Sequence, residues 1–265
     1  MMWATMKCVQ PSQQKAWRAG RFWWDWSGPG DTPGDTAVRP LATLSAVILD
    51  LDAIADVENT GHRLAFNAAF AELELDIAWS PARYRQLQEL PDERRRVAAE
   101  LRKRGVSSEC DVLAELLVDE ICATKEMILA ETILDADITA RPGMAELIAE
   151  AFGAGIAVGV VSTGRHTWVE PLVRQLVGEG MVDTIVTVDD APRCELFRTA
   201  LAELGAPAHN SLAFAGSQVS RRAAETCGAP TVLLDDESAA QPRTIADCQR
   251  LHDAWLDSHR RPSAA

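Results

Sequence analysis

The stretch VILDLDAIADVENTGHRLAFNAAFAELELD, residues 47–76, decides the fold. AVIL (46–49) is an unbroken apolar run of the kind a strand shows when both faces of its sheet are covered. It ends in Asp50-Leu51-Asp52. Two acids at i, i+2 just past a buried strand are hard to explain as packing, because placing them together costs mutual repulsion. HRLAFNAAFAELEL (62–75) then takes up helical spacing.

Working outward, mostly helical stretches follow: PARYRQLQEL, then PDERRRVAAELRKR with Pro91 at a first-turn position, then ECDVLAELLVDEICATKEMILAE. ARPGMAELIAEAFGAG (140–155) reads as a turn and a helix. IAVGVVS (156–162), DTIVTV (183–188), SLAFAG (211–216) and PTVLL (230–234) read as further strands, with helices near 166–177, at 195–205 and after the fourth strand. Strands alternating with helices imply right-handed βαβ units and a parallel sheet. The expected fold is therefore α/β, a doubly wound core with a helical insert after the first strand. The expected division is a core of residues 44–59 and 138–265 and an insert of residues 60–137.

Residues 1–43 differ. They hold five of the eight Trp, a GPGDTPGD tract, and five Lys/Arg against three Asp/Glu, a charge of +2 that leaves −15 on residues 44–265. No helical or strand period runs through them, so they read as poorly ordered. A start at a downstream codon such as that of Val38 would leave them out of the native product, and finding Trp17 to Trp26 by intact mass would exclude that.

The net charge of −13 over 265 residues argues against a general nucleic-acid binder and a polybasic membrane anchor. No apolar run reaches the roughly 18–20 residues of a span, and the first 20 residues lack a signal peptide's apolar stretch. Six scattered Cys without a CxxC read as idle thiols of a reducing cytoplasm. A monomer is the simplest expectation.

In open α/β folds, ligands bind beyond the carboxyl ends of the strands. The first such end carries Asp50 and Asp52. The second carries Ser162-Thr163-Gly164, either a plain helix cap or a hydroxyl and amides that cradle a phosphate. On these residues the chain resembles the haloacid dehalogenase-like phosphohydrolases, in the branch with a helical cap after the first strand, and within it the CbbY-type sugar-phosphate phosphatases. Gly61, His62, Arg63, Ala65, Phe66, Asn67, Ala69 and Phe70 match the family's G-H-R-x-A-F-N-x-A-F pattern. TARPGMAELIAEAFGAGIAVGVVSTG (139–164) and ALAELGAP (200–207) fit as well.

The resemblance implies a small phosphorylated metabolite as substrate. It makes Asp50 the nucleophile that becomes an aspartyl phosphate, Asp52 the general acid and base, and Ser162, with Thr163, the phosphate-binding group. Mg²⁺, held by Asp50 and Asp52, and a Lys would neutralise the phosphoryl oxygens. Glu58 and His62 stand where the family has substrate-side polar groups.

The departures from the family are as informative. Ala53 follows Asp52 where the family has Gly, Ile54 stands at its usual small or Thr position, and one residue is missing near Ile54–Ala55. The third motif, VDDAPRCELF (188–197), has no Lys, and Arg193 is its only cation. The chain has only four Lys, and none follows Lys125. The fourth motif has Ala215 and Gly216 in place of metal-binding acids, and Asp189 and Asp190 are the acids that could lean in instead. QELPDERRR (88–96) replaces the family's T-G-G-K-x-R substrate loop, and Lys125 reads as a solvated charge.

Two carboxylates about 5 Å apart repel by roughly 3 kcal/mol at an effective dielectric near 20. Without metal and Lys, one of Asp50 and Asp52 should therefore titrate well above a free Asp. The expected function is a phosphatase of weak or no turnover. The alternative is a pseudophosphatase that binds a phosphorylated ligand or a partner protein. A metal-independent dehalogenase fits less well, because that class normally lacks the second Asp.

Overall fold

The computed structural model describes residues 44–90, 92–105, 111–234 and 242–260. The expectations for residues 1–43, for Pro91 and for Cys8 and Cys110 lie outside the described residues.

Five parallel strands form one sheet in the order β3-β2-β1-β4-β5: β1 Ala46–Asp50, β2 Ala157–Val161, β3 Thr184–Val186, β4 Ser211–Ala215 and β5 Thr231–Leu233. β1 is central and fully buried. Its side chains alternate between two apolar layers, which is why its sequence does not alternate with polar residues. Val47 and Leu49 pack with Val158, Val160, Leu212 and Phe214 on one face. Ile48 packs with Val161, Val186 and Ala213 on the other.

A short helix α1 (Leu51–Ile54) starts directly from β1, and a π-helical turn (Glu58–His62) leads into α2 (Arg63–Glu72). Next come α3 (Pro81–Leu87), α4 (Glu93–Lys103) and α5 (Asp111–Thr132) before the chain returns through α6 (Met144–Gly153) to β2. The remaining helices are α7 (His166–Val177), α8 (Leu196–Leu204), α9 (Gln218–Thr226) and α10 (Ile245–Arg260). α6, α7 and α10 cover the Val47 face, and α8 and α9 the Ile48 face. This is the doubly wound α/β core with a helical insert after the first strand that the pattern implies.

The insert has its own core. Phe66, Phe70, Trp79, Tyr84, Leu87, Val97, Leu101 and Ile121 pack into a cluster of their own. Its aromatic rings sit 4.8–6.4 Å apart, in the range of favourable ring pairs. The G-H-R-x-A-F-N-x-A-F stretch explains itself here. Phe66 and Phe70 enter that core, while Asn67 holds the loop before α3 by exchanging hydrogen bonds with the Trp79 backbone, 2.7 and 3.1 Å. A Cβ on Gly61 would stand 2.7 Å from Ile133 Cδ1, so the glycine lets the π-helical turn lie close to that side chain just past α5.

Strands β3 and β5 are shorter than the expected 183–188 and 230–234, and two helix ends differ for local reasons. The helix expected over 62–75 stops at Glu72, because Glu74 takes a φ of 55° and turns the chain toward α3. α4 begins at Glu93, where Asp92 accepts the Arg95 amide as N-cap. Among the described residues no helix is long and apolar enough to cross a membrane, and the four described Cys (122, 194, 227, 248) form no disulfide.

Candidate functional site

The order β3-β2-β1-β4-β5 reverses direction between β1 and β4, and the carboxyl end of β1 therefore opens at the switch point where α/β ligands bind. Asp50 ends β1 there, 9% exposed. The Gly216 amide donates to its Oδ2 at 3.4 Å, and the Ser220 hydroxyl on α9 also hydrogen-bonds its carboxyl. Asp52 sits on α1. The Glu58 amide donates to its Oδ1 at 3.3 Å, and the Arg141 guanidinium to its backbone oxygen at 3.1 Å. Ser162 directly follows β2, 5% exposed, and its Oγ accepts the Gly164 amide at 3.0 Å. Gly164 itself has no room for a side chain, since a Cβ there would run into the Trp168 ring.

Both members of the carboxyl pair titrate above an ordinary Asp, Asp52 the more strongly. Burial is the first cause for each. For Asp52, Glu58 comes next and the neighbouring Asp50 only after it. The direction agrees with expectation, but desolvation outranks mutual repulsion as the cause.

The linkage has a definite sign. A carboxyl whose folded pKa is raised costs nothing below its ordinary value near 3.8, and its cost grows as pH rises from there through the folded pKa. Asp52→Asn keeps an acceptor for the Glu58 amide and removes that charge. The variant is expected to melt above the wild type at pH 7–8, with the gain vanishing near pH 3.8. Thermal denaturation across pH reads this directly, and a gain that grows toward acid pH would refute the assignment.

Glu58, whose amide meets Asp52, also lines a cleft of about 250 Å³. One wall holds Glu58, just before the insert, with the insert's His62, Glu93, Arg96 and Glu126, and the core lines the other with Thr163, Val188 and Arg193. Of the residues expected at the site, Glu58, His62, Thr163 and Arg193 meet in this cleft. Asp50, Asp52 and Ser162 gather at the strand ends instead.

The insert wall is a network of ion pairs. Tyr84 Oη donates to Glu58 Oε2 at 2.6 Å, and Arg96 lies 3.6 Å from the same oxygen. Burial alone would raise Glu58, but the charges of His62 and Arg96 and the Tyr84 hydrogen bond outweigh it and hold Glu58 below the usual range. Glu93 Oε1 joins His62 Nδ1 at 3.2 Å and Lys125 Nζ at 2.7 Å, and Lys125 also reaches Glu126 at 2.8 Å. Despite its burial, Glu93 is held far below an ordinary Glu by these partners.

Lys125 corrects the sequence reading. It is 0% exposed rather than solvated. The spacing Val118–Ile121–Lys125–Leu129 places it on the buried face of α5, a signal that its charge overrode. Asp189 and Asp190 are the acids whose place after the third strand left leaning in open. They do not lean into the site but bind the start of α7: Asp189 takes Arg165 and the His166 amide, and Asp190 takes His166 Nε2 at 2.7 Å and the Thr187 amide. Tyr84, Glu93, Arg96, Glu126 and Ser220 were not singled out from sequence, because nothing local ties helices this far apart in the chain to one cleft.

The Mg²⁺ that the resemblance implies does not fit these residues. Mg²⁺ needs near-octahedral oxygen ligands. The pair supplies two carboxylates, and among the described residues no group of three or more His, Cys, Asp or Glu could hold a metal. The position after β4 cannot supply a third, because a Cβ on Gly216 would stand 2.5 Å from the Asp52 carbonyl carbon and Cβ and 2.8 Å from the Ala53 amide. The Gly216 amide faces Asp50 instead.

Known proteins agree with this fold. A profile of the haloacid dehalogenase-like hydrolases matches residues 30–218. The plasmid-encoded CbbY of Cupriavidus necator is 30% identical over 206 residues, 75% of this chain and 81% of that protein. CbbY of Cereibacter sphaeroides is 32% identical over 193 residues, 70% and 81%. A crystal structure of Rhodobacter sphaeroides CbbY in complex with xylulose-(1,5)bisphosphate superposes with a TM-score of 0.59 at 27% identity, covering 76% of this chain and 91% of that one. With Asp50 and Asp52 closing the central strand, a helical insert behind them and a profile match over most of its length, the chain belongs to the haloacid dehalogenase-like hydrolase family and is similar to CbbY.

Proposed function

We propose that this protein binds a small sugar phosphate in the cleft between a cap formed by residues 60–137 and the core, and hydrolyses it slowly or not at all. One observation carries the reading. The carboxyl pair of the family's phosphatases is present, while the glycine packed on Asp52 removes the third metal ligand. The likeness to CbbY, one structure of which holds a sugar bisphosphate, supports the ligand class.

Any remaining turnover would run by attack of Asp50 on phosphorus, with Asp52 giving its proton to the leaving sugar oxygen. Arg193 is the cation that the third motif offers, and its planar fork does not place charge as a Lys ammonium does. Removing single groups that stabilise a transition state typically costs about 10²–10³ in rate, and two such departures leave little. A phosphatase assay with Mg²⁺ against a panel of sugar phosphates, with Asp50→Asn as control, tests the reading. Wild-type turnover is expected at or near that of the variant. Vigorous Mg²⁺-dependent turnover lost in Asp50→Asn would overturn it.

A further inference from the structure

The charges of the insert wall bear on which phosphate ester the cleft accepts. A second phosphate on a sugar needs cations to receive it, because a dianion brought out of water unpaired is costly. The insert contributes one permanent cation to the cleft lining, Arg96, and Lys125 lies buried behind it. Each is already met by carboxylates of the same wall: Arg96 by Glu58 at 3.6 Å, and Lys125 by both Glu93 and Glu126 at 2.7 and 2.8 Å. Lys125 is wholly buried behind these acids, with its ammonium also 5.2 Å from the Phe66 ring centre. The wall therefore sets three carboxylates against two cations, and His62 is engaged with Glu93 as well. Across the cleft, Thr163 and Arg193 stand on the core wall beside the strand ends.

On the reading that the cleft binds a sugar phosphate, we infer that Glu58, Glu93 and Glu126 make it selective for a monophosphate. The phosphate sits toward Thr163 and Arg193, and an uncharged, hydroxyl-rich remainder faces the insert. Hydroxyl groups suit this wall, since carboxylates accept their hydrogen bonds without any new charge entering. A second phosphate there would face three carboxylates and displace existing ion pairs to find a cation. The specificity thus differs from that of the CbbY structure that holds a bisphosphate, and the acids responsible lie outside the Asp50/Asp52 pair.

Calorimetric titration at fixed ionic strength with fructose 6-phosphate and fructose 1,6-bisphosphate tests this, because the two differ by one phosphate on one sugar. The monophosphate is expected to bind at least about tenfold more tightly. Glu126→Gln, at an exposed partner of Lys125, removes one carboxylate charge and should improve bisphosphate binding by about tenfold, the scale of one charge pair in a semi-exposed site. The same change should therefore narrow the preference for the monophosphate. Equal or tighter bisphosphate binding by the wild type would overturn the inference while the sugar-phosphate reading stands. An unchanged preference in Glu126→Gln, folded by circular dichroism, would also overturn it by removing its cause. If neither sugar binds the wild type, the sugar-phosphate reading itself fails, and the selectivity with it.

Discussion

Gly216→Asp is expected to destabilise the protein by at least about 3 kcal/mol and to leave its response to Mg²⁺ unchanged. The substitution restores an acid at a position where the family carries one, so a reading from sequence alone would expect it to rebuild a metal site. The structure argues the opposite. A Cβ at 216 would lie 2.5 Å from two Asp52 atoms, one of them backbone, and 2.8 Å from the Ala53 amide. No rotamer relieves a clash made by the Cβ itself, so the β4–α9 turn or α1 must shift. Overpacking a filled site typically costs 1–3 kcal/mol, and more where backbone must move. Gly216→Ala should then lose nearly as much, since the first carbon does the damage. Urea denaturation of the two variants measures the cost, and a Mg²⁺ titration of Gly216→Asp measures the ion. A variant as stable as the wild type, or one that gains Mg²⁺ binding, would show that the turn is free to open.

Glu93→Ala should cost about 3 kcal/mol, because breaking a buried ion pair from one side strands the other charge. Glu93 is the shared partner of Lys125, which is wholly buried, and of His62. Glu126 still touches Lys125 and keeps the loss near the lower end of the usual range. For a chain of this size the cost corresponds to a fall of roughly 6–12 °C in melting temperature. The double variant Glu93→Gln/Lys125→Met removes both charges and keeps the volumes, so it should recover most of the loss. A double variant no better than Glu93→Ala would mean that the pair matters for shape and not for charge. The acid limb carries a further signature. Glu93 titrates well below its ordinary value near 4.5, so its contribution is complete above that pH and is lost as pH falls below it. Wild type and Glu93→Ala should therefore converge in stability toward strongly acid pH.

These two positions mark where the sequence could and could not be read. Ala46–Asp50 announced a buried central strand, because a strand covered on both faces must be apolar at every position. That the acids after it, and Ser162 after β2, lie together at the strand ends was legible because strand ends converge in this fold whatever the loops do. The loss of acids at Ala215 and Gly216 was legible too, but its meaning was not. Whether a missing side chain leaves an open place or a closed one depends on how near α1 comes to the β4–α9 turn, two segments about 160 residues apart in the chain.

Lys125 shows the same limit from the other side. A lone charge on a long helix reads as solvated until its neighbours are known. Those neighbours, Glu93 and Phe66, come from α4 and α2. Asp189 and Asp190 were within reach of the site by sequence position, and the start of α7 bound them first.

By itself, then, the sequence determined the α/β core, the helical insert and the carboxyl pair, since each rests on local apolar periodicity or on residues that close a strand. The tertiary structure alone decided that the third metal position is closed by backbone and that the insert's cations are neutralised before any ligand arrives. Steric closure and ion pairing are set by distances of a few ångströms between distant segments, and no local pattern carries them.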